Sequence, residues 1–275
     1  CGECRYSDCE QGETYGRHHR QPAETPAHLR SGHQGGQIDV QAAAARGIPV
    51  KNAKGYSTHS VAEATLGGAI AMLREIVYYD GFVKQGEYSS SPRLFNYDRP
   101  TRQLYGRKWG IVGLGAIGQR VALLANAFGC KVLGYNRSPK ALPHITQVDK
   151  DTLLRQSDII TVHLPLNPET KAFIGTNEFA LMQPHAVLIN TARGPIVSQE
   201  ALYNALKKGQ IAGAAVDVYD QEPPLPLNLE LFNAPNLLML PHMGYATREA
   251  FETRLNIVIR NIEMWLNNTP QNQVL

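Results

Sequence analysis

The chain has 275 residues and a mass of 30.3 kDa, with 43% hydrophobic and 19% charged residues, proportions of a folded globular protein. A formal net charge of +3 with no block of five basic residues argues against a nucleic-acid partner, and the best apolar run, around Leu66–Leu73, is too short for the ~18 residues that a membrane span needs. Four cysteines, three of them in the first nine residues, do not make a disulfide framework at this length, and no secretory signal is present, so a cytoplasmic setting is expected.

The opening stretch, Cys1–Gly36, is rich in Arg, His, Gln, Gly and Cys, nearly lacks Val, Ile, Leu and Phe, and has neither period 2 nor period 3.6. Nothing in it is expected to join a core. Next, S-V-A-E (Ser60–Glu63) reads as a capping box that opens a helix to about Glu75. KWGIVGL (Lys108–Leu114) is an apolar strand, and Ile117–Phe128 is a helix stopped by Gly129. Strand Lys131–Asn136, a short helix near Asp151–Gln156 and strand Ile159–Leu164 follow. Strand Ala186–Thr191, helix Ser198–Lys208 and strands Ile211–Tyr219 and Asn236–Leu240 come next, and Thr247–Asn267 is one long amphipathic helix. Continuous apolar strands separated by helices predict a doubly wound parallel sheet covered on both faces.

G-L-G-A-I-G carries Gly113, Gly115 and Gly118 between a predicted strand and a predicted helix, the context that turns a weak pattern into a dinucleotide-binding signal. The first glycine permits the tight turn, the second lets backbone approach a pyrophosphate, and the third lets helix and strand pack closely. The helix N-terminus then offers free N–H groups to the phosphates. About twenty residues on, an NAD site places a carboxylate for the ribose 2′-hydroxyl. This chain has Asn136, Arg137 and Ser138 there instead. These side chains can hydrogen-bond a 2′-phosphate, which favours NADP(H) over NAD(H), although Arg137 could equally lie over the adenine or face solvent.

Three more segments end predicted strands on the side where open α/β sheets hold ligands: N-T-A-R-G (Asn190–Gly194), D-V-Y-D-Q-E-P (Asp217–Pro223) and P-H-M-G (Pro241–Gly244). They contribute Arg193, Glu222 and His242, a set suited to reducing a carbonyl. Arginine holds a carboxylate in two parallel hydrogen bonds, histidine donates the proton, and glutamate stabilises the charged imidazole. Taken singly, Arg193 could be a surface ion pair, Glu222 a loop carboxylate and His242 a strand-end cap.

These motifs, in this order and followed by A-T-x-E-A, resemble the D-isomer-specific 2-hydroxyacid dehydrogenase family from about Ile38 to Leu275. G-Y-S-T-x-S-V-A-E and V-K-x-G-E-Y-S (Val83–Ser89) are similar to its glycerate dehydrogenase/hydroxypyruvate reductase branch. The resemblance implies a Rossmann-type cofactor domain over 57–243. It also implies a smaller flavodoxin-like substrate domain formed by 1–56, here incomplete, with 244–275 returning to it. It implies hydride transfer to C2 of a small 2-oxo acid, with Arg193 binding substrate, His242 as acid/base and Glu222 tuning it. Ala116, Ile117, Leu164, Pro165, Thr170, Thr191, Ala192 and Gly244 would line the cofactor and Asp217 would face the nicotinamide amide. Lys54 and Gly55 would present backbone N–H groups to the substrate carboxylate. Tyr245 stands where the family usually has a small residue. A homodimer through the cofactor domain is implied, and no metal.

The family's usual first strand and helix are absent from Cys1–Gly36. A one-base shift of plausible codons turns Glu10–Tyr15 into S-K-V-K-L-T and Gln21–Pro26 into S-L-P-K-L-R, fragments of the expected kind. These residues therefore read as an out-of-frame translation and the true N-terminus as missing. The rival reading makes Cys1, Cys4, Cys9 and the His18/His19 pair zinc ligands, but their spacing matches no standard pattern. The alternatives to an active enzyme are a non-catalytic nucleotide-binding protein and an inactive fragment of the same family.

Overall fold

The structure is a computed structural model that describes residues 28–29, 39–269 and 271. The zinc-ligand and frame-shift expectations lie outside these residues, apart from His28–Leu29. That pair forms β1, which runs parallel to β2 (Val50–Lys51). The sequence predicts no element there. A two-residue ladder is made of backbone groups alone and leaves no hydrophobic period to detect.

The described residues divide into two compact units, a smaller one up to Asn52 and from Asn261 on, and a larger one over Ala53–Arg260. In the smaller unit helix α1 (Val40–Ala45) is capped by Asp39, whose carboxylate accepts from the Ala42 N–H at 2.8 Å, and the Asn261 amide donates to the Asn52 carbonyl at 3.1 Å.

The larger unit begins with α2 (Thr58–Leu73) and α3 (Ile76–Lys84). The parallel sheet then starts with β3 (Lys108–Val112), α4 (Ala116–Ala127), β4 (Lys131–Tyr135) and the short β5 (Thr146–Gln147). After α5 (Lys150–Gln156) come β6 (Ile159–Val162), α6 (Thr176–Leu181), β7 (Val187–Asn190) and α7 (Gln199–Lys207). Strands β8 (Gly213–Val216) and β9 (Leu237–Met239) complete the sheet, and α8 (Arg248–Leu266) follows, its residues up to Arg260 belonging to this unit. The strand order is β5-β4-β3-β6-β7-β8-β9, all parallel, so the winding reverses between β3 and β6. This is the Rossmann arrangement, whose ligands bind beyond the carboxyl ends of the strands at that reversal.

Strands β6, β7 and β8 are buried at every position, which is why they read as mainly apolar runs, broken only by Thr161 and by Asn190 at the end of β7. One side of the sheet packs Leu153, Ile160, Leu188, Phe179 and Leu202 into a core; the other packs Trp109, Ile111, Val121, Ile189 and Ala215 with Ala62 and Ala69 of α2. Full burial of such side chains stabilises by about 1.5–3 kcal/mol each.

The capping box expected at Ser60–Glu63 is not formed. Helix α2 starts at Thr58 after an N-cap at Ser57 that makes no side-chain cap bond, and the Ser60 hydroxyl donates to the distant carbonyl of Gly244. The helix expected to reach Glu75 stops at Leu73, because Glu75 turns to a left-handed φ of 51° and caps α3 instead.

Candidate active site

The turn after β3 sits at the sheet's reversal. Gly113 has a φ of +100°, and a β-carbon there would lie 2.7 Å from the His163 carbonyl oxygen on the neighbouring loop. A β-carbon on Gly118 would lie 2.0 Å from the Gly113 carbonyl oxygen, so α4 is pressed against the turn. Gly115, the N-cap of α4, has no side-chain cap bond and nothing within 4 Å of where its β-carbon would point. Two glycines are thus required by packing and the third leaves the helix N-terminus, with Ala116 and Ile117, open to approach. That combination fits a pyrophosphate.

The rest of the groove is built from the ends of β4 and β6. Asn136 accepts from the Leu114 N–H at 3.2 Å and donates to the Ser138 carbonyl at 2.8 Å, which holds the 136–138 loop against the glycine turn. Arg137 reaches across to Glu169, 2.7 Å away, both side chains largely exposed. The motif reading missed Lys140. Its ammonium donates to the Leu114 carbonyl at 2.8 Å, which places a second cation at this corner. On the facing loop, Leu164 and Pro165 follow β6 and the Thr170 hydroxyl closes the loop onto the Pro165 carbonyl at 2.6 Å. His163 contributes a ring whose Nε2 is buried without a partner among the described residues, and burial pushes its pKa down to about 3.

The second half of the site forms where β7, β8 and β9 end. Asn190 accepts from the Ala192 N–H and donates to the Arg193 carbonyl, folding N-T-A-R-G into a tight turn. The Thr191 hydroxyl pairs with Thr65 of α2 at 2.8 Å, and Arg193 Nη1 rests on the Ala192 carbonyl at 2.5 Å. Asp217 is 2% exposed, and its carboxylate accepts the Met243 N–H at 2.8 Å and the Gly244 N–H at 2.7 Å. Burial nevertheless leaves its carboxyl above the ordinary range, outweighing those hydrogen bonds.

His242 and Glu222 meet directly: His242 Nδ1 lies 2.5 Å from Glu222 Oε2, while Glu222 Oε1 accepts the Tyr219 N–H at 2.7 Å. Burial acts to raise the Glu222 carboxyl. The His242 hydrogen bond, the Tyr219 N–H and the charges of His242 and Arg193 outweigh it, so the group lies below its usual range. The three residues named from sequence therefore share one electrostatic environment. Tyr245 packs its ring edge-to-face with His242 at 5.5 Å and with Tyr56 at 6.4 Å, so the 53–56 loop, with Lys54 and Gly55 exposed on it, reaches the same place. Arg193 and His242 are both partly accessible.

The fold agrees with comparisons to known proteins. The profile described as D-isomer specific 2-hydroxyacid dehydrogenase, NAD binding domain, matches residues 66–244. The chain belongs to the D-isomer-specific 2-hydroxyacid dehydrogenase family. Over 239 residues it is 40% identical to a glycerate dehydrogenase of Methylorubrum extorquens, covering 86% of this chain and 74% of that protein. It is 43% identical over 235 residues to a glyoxylate reductase of Thermococcus litoralis, covering 82% of this chain and 69% of the relative. Among solved structures it is similar to an acyclic imino acid reductase in complex with NADPH and D-Arg, with a TM-score of 0.78 and 34% identity over 86% of this chain and 75% of that one. The chain is thus an oxidoreductase of the 2-hydroxyacid dehydrogenase family with a Rossmann-type domain for a nicotinamide cofactor.

Proposed function

We propose that this dehydrogenase reduces small 2-oxo acids of the glyoxylate or hydroxypyruvate type to D-2-hydroxy acids and favours NADP(H). The observation that carries the reading is the direct His242–Glu222 pair, electrostatically coupled to Arg193, at the carboxyl edge of a nucleotide-binding sheet. The cofactor, when bound, supplies the hydride. Arg193 binds the substrate carboxylate through its guanidinium fork and polarises the adjacent carbonyl. The backbone N–H groups of Lys54 and Gly55 share that carboxylate. Because Glu222 occupies Nδ1, the proton leaves His242 from Nε2, and the ring reverts to the neutral tautomer still bonded to Glu222. Thr191, Ala192, Leu164, Pro165, Thr170, Asp217 and Gly244 line the cofactor side of the cleft.

The preference for NADP(H) is supported by Arg137 and Lys140 flanking a loop that has no carboxylate to repel a 2′-phosphate. We place the cofactor domain at 57–243 and the substrate domain in 1–56 with 244–275. Exposed apolar side chains on α3 and beyond it, among them Val77, Val83, Leu94 and Phe95, support a homodimer through the cofactor domain. Among the described residues no helix is long and apolar enough to cross a membrane.

The test follows cofactor absorbance with glyoxylate and hydroxypyruvate for the parent and His242→Ala. The expected result is turnover by the parent and a kcat lower by roughly 10²–10⁴-fold in the variant. A parent that binds cofactor but reduces no small 2-oxo acid would reject the reading in favour of a binding protein.

A further inference from the structure

The segment carrying His242 is gripped by groups far from it in sequence. The Leu240 N–H donates to the Val216 carbonyl at 2.9 Å, and the Leu240 carbonyl accepts the Tyr219 hydroxyl at 2.8 Å. The N–H groups of Met243 and Gly244 are held by Asp217, and the Gly244 carbonyl accepts the buried Ser60 hydroxyl at 2.6 Å. Between these grips His242 has a φ of +56°, a left-handed conformation that its β-carbon disfavours. Such a conformation persists only where the surroundings over-determine it.

Four of these five bonds come from β8 and the residues just after it, close to Glu222. Ser60 alone reaches in from α2, on the other side of the turn. Its partner is the residue with the most dihedral freedom in the segment, since Gly244 has no β-carbon to restrict it. Asp217 holds the N–H side of Gly244 and Ser60 holds the carbonyl side. With either grip gone, Gly244 can rotate and the left-handed turn before it can relax, which carries the imidazole away from Glu222.

We infer that Ser60 is a positioning residue for the acid–base histidine, fixing the His242 turn through the Gly244 carbonyl so that Nδ1 stays on Glu222. This inference rests on the reading of His242 as the acid–base group. It concerns a serine that the sequence pattern assigned to helix capping.

The experiment compares parent, Ser60→Ala and Ser60→Thr on the 2-oxo acid that the parent reduces, together with the proton NMR signal of the His242–Glu222 hydrogen bond, far downfield of the amides. Ser60→Ala is expected to lower kcat about ten-fold with both KM values within about two-fold, because small displacements of a catalytic group are felt in turnover. The downfield signal should weaken or vanish, and Ser60→Thr, which keeps the hydroxyl, should restore both. Parental kcat in Ser60→Ala, a fall in kcat with the downfield signal intact, or a threonine variant as impaired as the alanine one would each overturn the inference. If the parent reduces no 2-oxo acid, the function reading fails. The downfield signal then still decides whether Ser60 holds the turn.

Discussion

Gly194 is packed so closely against Tyr219 that a β-carbon at residue 194 would lie 2.0 Å from the Tyr219 carbonyl carbon and 2.6 Å from the Asp220 nitrogen. The obstructing atoms are backbone, so they cannot swing aside. This contact joins the turn that presents Arg193 to the loop that presents Glu222. Gly194→Ala is therefore expected to destabilise the fold by about 3 kcal/mol and to lower kcat/KM by at least ~100-fold through the displacement of both residues. Thermal unfolding and steady-state kinetics on the same preparation would check both, and a variant with parental kcat/KM would show that the two loops move independently.

The proposed preference for NADP(H) rests on the corner where Arg137 and Lys140 flank Asn136 and Ser138. A charge-assisted hydrogen bond to a phosphate contributes about 1.5–3 kcal/mol, so Arg137→Gln is expected to lower kcat/KM with NADPH about ten-fold or more while changing NADH little. Lys140→Gln should act in the same direction. Glu169→Gln should act the other way, since Glu169 pairs with Arg137 and would have to give it up to a 2′-phosphate. Unequal responses to NADPH and NADH are the readout; equal losses would place these cations outside the 2′-phosphate site.

Acid stability is set by carboxylates of opposite sense. Burial acts to raise Asp158, but the Lys108 N–H, His185 and Arg107 outweigh it and leave its carboxyl below the usual range. A lowered folded value means that its contribution is fully present above the unfolded-state value, roughly 3.9, and is lost as pH falls through the folded one. Asp217, raised by burial, works in reverse: it favours folding below the unfolded value and loses that contribution as pH rises through the folded one. Asp158→Asn is expected to cost about 1–3 kcal/mol at neutral pH. Its melting temperature should converge on that of the parent as pH drops below the carboxylate range. A gap that stays constant into acid would remove ionisation from the account.

The sheet was legible because β6, β7 and β8 are buried on both faces and so spell short runs dominated by Val, Ile, Leu and Ala without polar alternation. Arg193, Glu222 and His242 could be read because each follows a strand end, where short motifs and topology agree. Other features depend on partners remote in sequence. Ser60 looked like a helix cap because its bond to Gly244 spans 184 residues. Lys140 carried no motif, and its contact with Leu114 exists only once β4 lies beside β3. Helix α3 was not read from the sequence, where the preceding helix ends near Glu75; α3 starts from a left-handed backbone turn at that residue, which leaves no mark in composition. The short β5 shows no alternation because two residues are too few to display one.

The left-handed backbone at His242 has an energetic consequence. A side chain costs about 1 kcal/mol in that conformation and glycine costs almost nothing, so the strain at His242 is carried by the contacts that hold the turn. On the proposed function, His242→Gly relieves the turn but removes the proton donor and leaves the part-buried Glu222 carboxylate without its imidazole partner. Chemistry and rigidity pull against each other at this one pair of dihedral angles.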